Sequence, residues 1–268
     1  MKSYGRQELT SPQNPLLRAL WRALREGEAT PEGAIAVEGP RLVEEALRSS
    51  VEVAAVVAAR SAEARLAKLE ALANGRLQSY VVPDRVFRTL ADTETPQGIA
   101  ALVRLPQRKL EATLAQPRAL VLGLVGVQDP GNLGTILRSL EAFGGSACLL
   151  THGTVSPFNP KAVRASAGSL FRVPVFHGLK LREILERCRD YSLETIGLAP
   201  GAGRELSQTD LRQPVALFIG QEGSGLPRET LAQLDTVAEI PLAAPVESLN
   251  AAMAATLALY EAARQRRS

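Results

Sequence analysis

The sequence predicts an α/β protein in two parts, a small α/β unit followed by a larger unit on a parallel sheet. Three observations predict it. Short apolar segments alternate with segments of helical periodicity along the chain. In the second half the apolar segments are nearly continuous, as in strands buried on both faces. A seam at 104–118, with Pro106 and Pro117 around a short polar helix, separates the halves. This places a first unit at 1–106, a linker at 107–118 and a second unit at 119–268. The chain has 268 residues, room for one large domain or two ordinary ones. At 46% hydrophobic and 22% charged it has the composition of a folded globular protein.

In the first half, 15–25 reads as an amphipathic helix, with Leu16, Leu20 and Leu24 every four residues and Pro15 at its start. A strand follows at 34–37, a helix at 41–48, a strand at 51–57 and a helix at 62–73. A strand at 77–82, a helix at 85–90 and a strand at 99–105 complete this half. In the second half, strands at 119–127, 147–151, 173–176, 194–198, 215–219 and 237–240 alternate with helices at 133–143, 161–170, 182–189 and 228–234. A long helix at 249–264 follows. In such sheets ligands sit at the carboxyl ends of strands. The loops after Val127, Leu198, Ile219 and Ile240 are therefore the ones to inspect.

Charge and composition narrow the function classes. The formal charge is +3, which is compatible with a nucleic-acid partner without demanding one. Basic residues gather early: Lys2, Arg6, Arg18, Arg22 and Arg25 stand against Glu8 in the first 25 residues. Aromatics make up 4%, too few for a broad stacking platform. The two cysteines, Cys148 and Cys188, have neither zinc-site nor disulfide-framework spacing, and a reduced, cytoplasmic setting is expected. No metal is expected. The start lacks the apolar stretch of a signal peptide, and the longest apolar run, near 120–127, is far short of the ~20 residues of a membrane helix. His152 and His177 read as structural.

Three loops carry more than a connector needs. In the first, Gln128-Asp129-Pro130-Gly131-Asn132, a turn leads into a helix with Asn132 placed to cap it and Arg138 under two turns on. The second, Gly220-Gln221-Glu222-Gly223-Ser224-Gly225-Leu226-Pro227, permits unusual backbone angles. It is neither a dinucleotide fingerprint nor a phosphate loop, and it has no lysine for a triphosphate. The third runs from Ile240 to Asn250. Pro241 and Pro245 extend it, and Ser248 is placed to cap the last helix with Asn250 in its first turn. Each loop alone also admits an ordinary reading as a cap or turn.

Taken in order, Asn132-Leu133-Gly134-Thr135-Ile136-Leu137-Arg138, then Ile219 to Pro227, then Ile240 to Asn250 closely resemble the three signature motifs of the SpoU (TrmH-like) RNA 2′-O-ribose methyltransferases of the SPOUT class. Ser11-Pro12-Gln13-Asn14-Pro15 and Val37-Glu38-Gly39-Pro40-Arg41 are similar to the family's N-terminal substrate-binding extension. The stretch 156–169 resembles a segment of members acting on ribosomal RNA. Two departures stand out. Ala251 replaces the usual valine after the third-motif asparagine, and 27–33 lacks the basic residues often found there.

The resemblance implies a SPOUT methyltransferase fold with a C-terminal trefoil knot, preceded by a small α/β RNA substrate-binding domain. It implies a homodimer and S-adenosylmethionine as cofactor. Its donor site would comprise Leu198, Ala199, Gly220, Glu222, Gly223, Ile240, Leu242, Ser248, Leu249 and Asn250, and its catalytic positions Arg138, Asn132, Glu222, Ser248 and Asn250. Arg138 is then either a base perturbed by burial or a cation that stabilises the developing alkoxide, and the second is favoured because guanidinium holds its proton so firmly. The expected reaction is methyl transfer to a ribose 2′-hydroxyl, in ribosomal RNA ahead of transfer RNA. The alternatives are an RNA-binding assembly factor without catalysis and a base methylator.

Overall fold

The computed structural model describes residues 5–49 and 51–267, so Lys2 lies outside the described residues. The chain forms two compact units. One comprises the chain up to Gln107 together with Phe158–Phe171, and the other comprises Arg108–Pro157 and the chain from Arg172 onward.

The first unit contains β1 (Arg6–Glu8), α1 (Pro15–Glu26), β2 (Ala34–Glu38), α2 (Pro40–Arg48), β3 (Glu52–Ala59), α3 (Glu63–Leu72), β4 (Ser79–Val82), α4 (Asp84–Leu90) and β5 (Ile99–Arg104). Its sheet has the order β1-β4-β3-β5-β2. β1, β4 and β3 are parallel, while β5 runs antiparallel to both its neighbours. Nothing in the sequence marks β1 as a strand. It is three exposed residues at an edge, held where Arg6 bonds Glu63 at 2.9 Å and Glu70 at 2.7 Å. That arginine is therefore spoken for. In α1, Leu20 and Leu24 are buried as expected, but Leu17 rather than the half-buried Leu16 completes the stripe that faces the unit's core. Asn14 caps the helix and Gly27 ends it in the left-handed conformation.

The second unit contains α5 (Leu110–Leu114), β6 (Leu120–Leu124), α6 (Pro130–Ala142), β7 (Ala147–Thr151), β8 (Val175–Leu179), α8 (Leu181–Asp190), β9 (Glu194–Leu198), β10 (Val215–Ile219), α9 (Arg228–Leu231), β11 (Thr236–Ala238) and α10 (Ala251–Arg267). Its six-stranded sheet, β11-β9-β10-β6-β7-β8, is parallel throughout. Every residue of β6, β7 and β10 is buried, as the unbroken apolar runs require. From β6 the sheet grows through β7 to β8, then the chain returns to the other side through β9 and β10. That reversal opens a crevice at the carboxyl ends of the strands.

The remaining helix, α7 (Pro160–Ala165), belongs to the first unit and packs on β2. A single helix over 161–170 does not form. Ala167 and Gly168 take left-handed angles (φ 49° and 92°), which break it into α7 and a short turn at Ser169–Phe171. The helix expected at 228–234 is one turn long.

Candidate active site

The loops after β9, β10 and β11 and the start of α10 enclose a cavity of about 320 Å3, the size of a small-molecule site. Leu198, Ala199, Gly220, Glu222, Gly223, Ile240, Leu242, Ser248 and Leu249 line it, so every residue expected to hold a cofactor is there except Asn250. Pro200, Gln221, Ser224, Gly225 and Glu247 also line it and were missed from the sequence. Only adjacency to the second and third motifs could have indicated most of them.

The floor depends on Gly220. A Cβ there would lie 2.0 Å from the carbonyl carbon of Gly225 and 2.3 Å from the nitrogen of Leu226. The loop folds back on itself, with Gln221 and Gly225 exchanging backbone hydrogen bonds of 3.2 and 2.9 Å. Gly223 and Gly225 take positive φ of 84° and 67° to make that turn. The second motif is thus a backbone cradle.

Beside the cavity runs a one-directional chain of hydrogen bonds. The backbone amides of Ala252 and Met253 donate to Asn250 Oδ1 at 2.9 and 3.3 Å. Asn250 Nδ2 donates to Asn132 Oδ1 at 3.0 Å, and Asn132 Nδ2 donates to Glu222 Oε1 at 2.7 Å. The amide of Gln128 donates to Glu222 Oε2 at 3.2 Å. Burial works against the charged form of Glu222. The bonds from Asn132 and from the amides of Glu222, Gln128 and Asp129 outweigh it, so its pKa lies below the usual carboxylate range. An anion is thereby fixed at the pocket wall.

Two expected roles are corrected. Asn132 does not cap α6. Asp129 does, its Oδ1 accepting from the Asn132 amide at 2.8 Å. The helix starts at Pro130, one turn earlier than expected, because proline suits a first helical position. That leaves the Asn132 side chain for Glu222. Likewise Asn250, not Ser248, caps α10, and Ser248 faces the cavity. Arg138 stands apart from this group. It is exposed on α6 and takes no part in the Asn250–Asn132–Glu222 chain.

The donor set fits S-adenosylmethionine. Its lining offers backbone amides and carbonyls, apolar walls at Leu198, Ile240 and Leu249, and the carboxylates Glu222 and Glu247 for a cationic ligand. Among the described residues no group of three or more His, Cys, Asp and Glu could hold a metal ion.

A model of the SpoU rRNA methylase family matches residues 119–260, and one of an MRM3-like substrate-binding domain matches residues 20–101. The chain is 34% identical over 241 residues to the 23S rRNA (guanosine(2553)-2′-O)-methyltransferase RlmP of Bacillus subtilis, covering 90% of this chain and 93% of that protein. It superposes on a crystal structure of an RNA 2′-O ribose methyltransferase with a TM-score of 0.79 at 32% identity, covering 97% of this chain and 100% of that one. The SpoU methyltransferase AviRb of Streptomyces viridochromogenes, solved with AdoMet, gives 0.82 at 27%, covering 96% and 99%.

The fold and the cradle define the class, an S-adenosylmethionine-dependent RNA 2′-O-methyltransferase. More closely, the chain belongs to the SpoU rRNA methylase family.

Proposed function

We propose that this enzyme methylates a ribose of ribosomal RNA, that it works as a homodimer in the cytoplasm, and that 1–106 selects the RNA while 119–268 carries the chemistry. The observation that carries the reading is the Asn250–Asn132–Glu222 chain fastened to a glycine cradle. It joins the three motifs into one wall. The RlmP likeness supports ribosomal over transfer RNA. Met253, Leu257 and Tyr260, 58%, 43% and 52% exposed along one side of α10, support a dimer, as does Val246 at 54%. The segment from Ile240 to α10 is read as the part of a trefoil knot that closes over the donor.

In this reading Gly220, Ile240 and Leu249 hold the donor through backbone groups. Leu198, Ala199, Gly223 and Leu242 shape its walls, and Ser248 adds a hydroxyl. S-adenosylmethionine held there would supply an electrophilic methyl carbon, so that the O2′–C bond would form as the C–S bond breaks, leaving the demethylated thioether and passing the hydroxyl proton to water. Asn132 and Glu222 position the ribose against that carbon. Arg138, an exposed guanidinium and hence a cation, draws in a neighbouring phosphate and stabilises the developing alkoxide.

Arg138→Ala is expected to lower methyl transfer at least a hundredfold, with uptake of S-adenosylmethionine by calorimetry unchanged. Methylation of ribosomal RNA at the wild-type rate in that variant would remove Arg138 from the chemistry.

A further inference from the structure

The first unit holds a cleft of about 710 Å3 that the reading above does not use. One wall is the outer face of α2, where Arg41, Glu45 and Arg48 fall on one side by their spacing. The opposite wall is the loop after α4, which presents Thr93, Thr95 and Gln97. Arg164 of α7 closes one end.

The loop wall is fixed. Glu38 is buried, and its carboxylate accepts from the amides of Asp92 and Thr93 at 2.9 and 3.3 Å and from the Thr93 hydroxyl. Asp92 in turn accepts from Arg164 Nη1 at 2.9 Å. Two buried or braced acids therefore spend their charge on holding the loop. On the α2 wall the exposed side chains are Arg41 and Arg48. Arg48 bonds Glu44 in an exposed pair of marginal strength, and Arg41 is exposed on the cleft wall.

The cleft's charges balance in number, with Arg41, Arg48 and Arg164 against Glu38, Glu44 and Glu45 in its lining. A track for the phosphate backbone would carry an excess of cations. A balanced cleft lined by hydroxyls, an amide and flat guanidinium groups suits a base, with its π-face and its donor and acceptor edge. We propose that this cleft receives one unpaired nucleotide of the substrate RNA, stacked on Arg41 with its edge read by Thr95 and Gln97. The inference rests on the RNA methyltransferase reading. It also gives a purpose to the detour of residues 158–171 into the first unit, since Arg164 braces the reading loop.

The test uses the full-length protein and fluorescence anisotropy at fixed salt. The probes are a fluorescein-labelled RNA hairpin with an open loop and the fully paired duplex of the same stem. The wild type is expected to prefer the hairpin. Arg41→Ala and the double variant Thr95→Val/Gln97→Ala should each weaken hairpin binding about five- to tenfold, leaving duplex binding and calorimetric uptake of S-adenosylmethionine unchanged. Unaltered hairpin binding in both variants overturns the proposal. So does an equal loss on hairpin and duplex, which would make the cleft a phosphate contact, or a wild type without preference for the loop. Absent donor uptake by the wild type would strike the enzyme reading instead.

Discussion

At the scale of single residues, the site is decided by a missing side chain and by two amides that face in fixed directions. Gly220 is required because the returning backbone of Gly225 occupies the space a methyl group would need. Gly220→Ala should therefore abolish calorimetric uptake of S-adenosylmethionine while far-UV circular dichroism stays native. Undiminished uptake would mean that the cradle is not the donor site. The amide of Asn132 must donate to Glu222, so its oxygen must accept from Asn250, whose own oxygen faces α10. An aspartate at either position would break that order. Cys148 and Cys188 take no part. Burial pushes both thiols up, Cys188 to about 12, with Asp235 adding to its shift, so each behaves as a small apolar residue.

At the scale of elements, α6 and α10 carry the site between them. They pack together, with Ser139 and Thr256 hydroxyls 2.7 Å apart and Phe143 edge-on to Tyr260 at 5.8 Å. Each helix is capped by a residue of the loop that leads into it, Asp129 or Asn250, so the cap that starts the helix also sets the site. Along the side of α10 that carries Tyr260, Met253 and Leu257 are exposed. Exposed apolar side chains of this size on one helix face suit a subunit interface. The wild type is expected to elute as a dimer in size-exclusion chromatography with light scattering, and the double variant Met253→Glu/Leu257→Glu as a monomer. A dimer that survives both charges would place the interface elsewhere.

At the scale of the whole molecule, the last helix is latched to the sheet by one half-buried cation. Arg266 donates to the carbonyls of Leu211 at 2.7 Å, Arg118 at 2.5 Å, Ala119 at 3.2 Å and Gln213 at 2.7 Å. Desolvation, helped by Arg118, lowers its pKa, and carbonyl dipoles take the place of a counter-ion. Arg266→Ala should cost about 2 kcal/mol and lower Tm by several degrees. Arg266→Lys should recover only part, because an ammonium lacks the fork that reaches several carbonyls. An unchanged Tm for Arg266→Ala would show the latch to be idle.

Much of this was legible in the chain itself. Unbroken apolar runs marked the parallel sheet of the second unit, and Leu20 and Leu24 marked the buried face of α1, though Leu17 and not Leu16 completes it, because burial on two faces or one leaves a local period. The three loops announced themselves through glycine, proline and asparagine, which are placed by backbone demands. The tertiary structure alone decided that Asn132 reaches Glu222, that Asn250 rather than Ser248 caps α10, that Arg6–Glu8 is a strand, and that 158–171 packs with the first unit. The reason is common to all four. A contact between residues far apart in sequence has no period and no local composition, so it exists only once the chain has closed on itself.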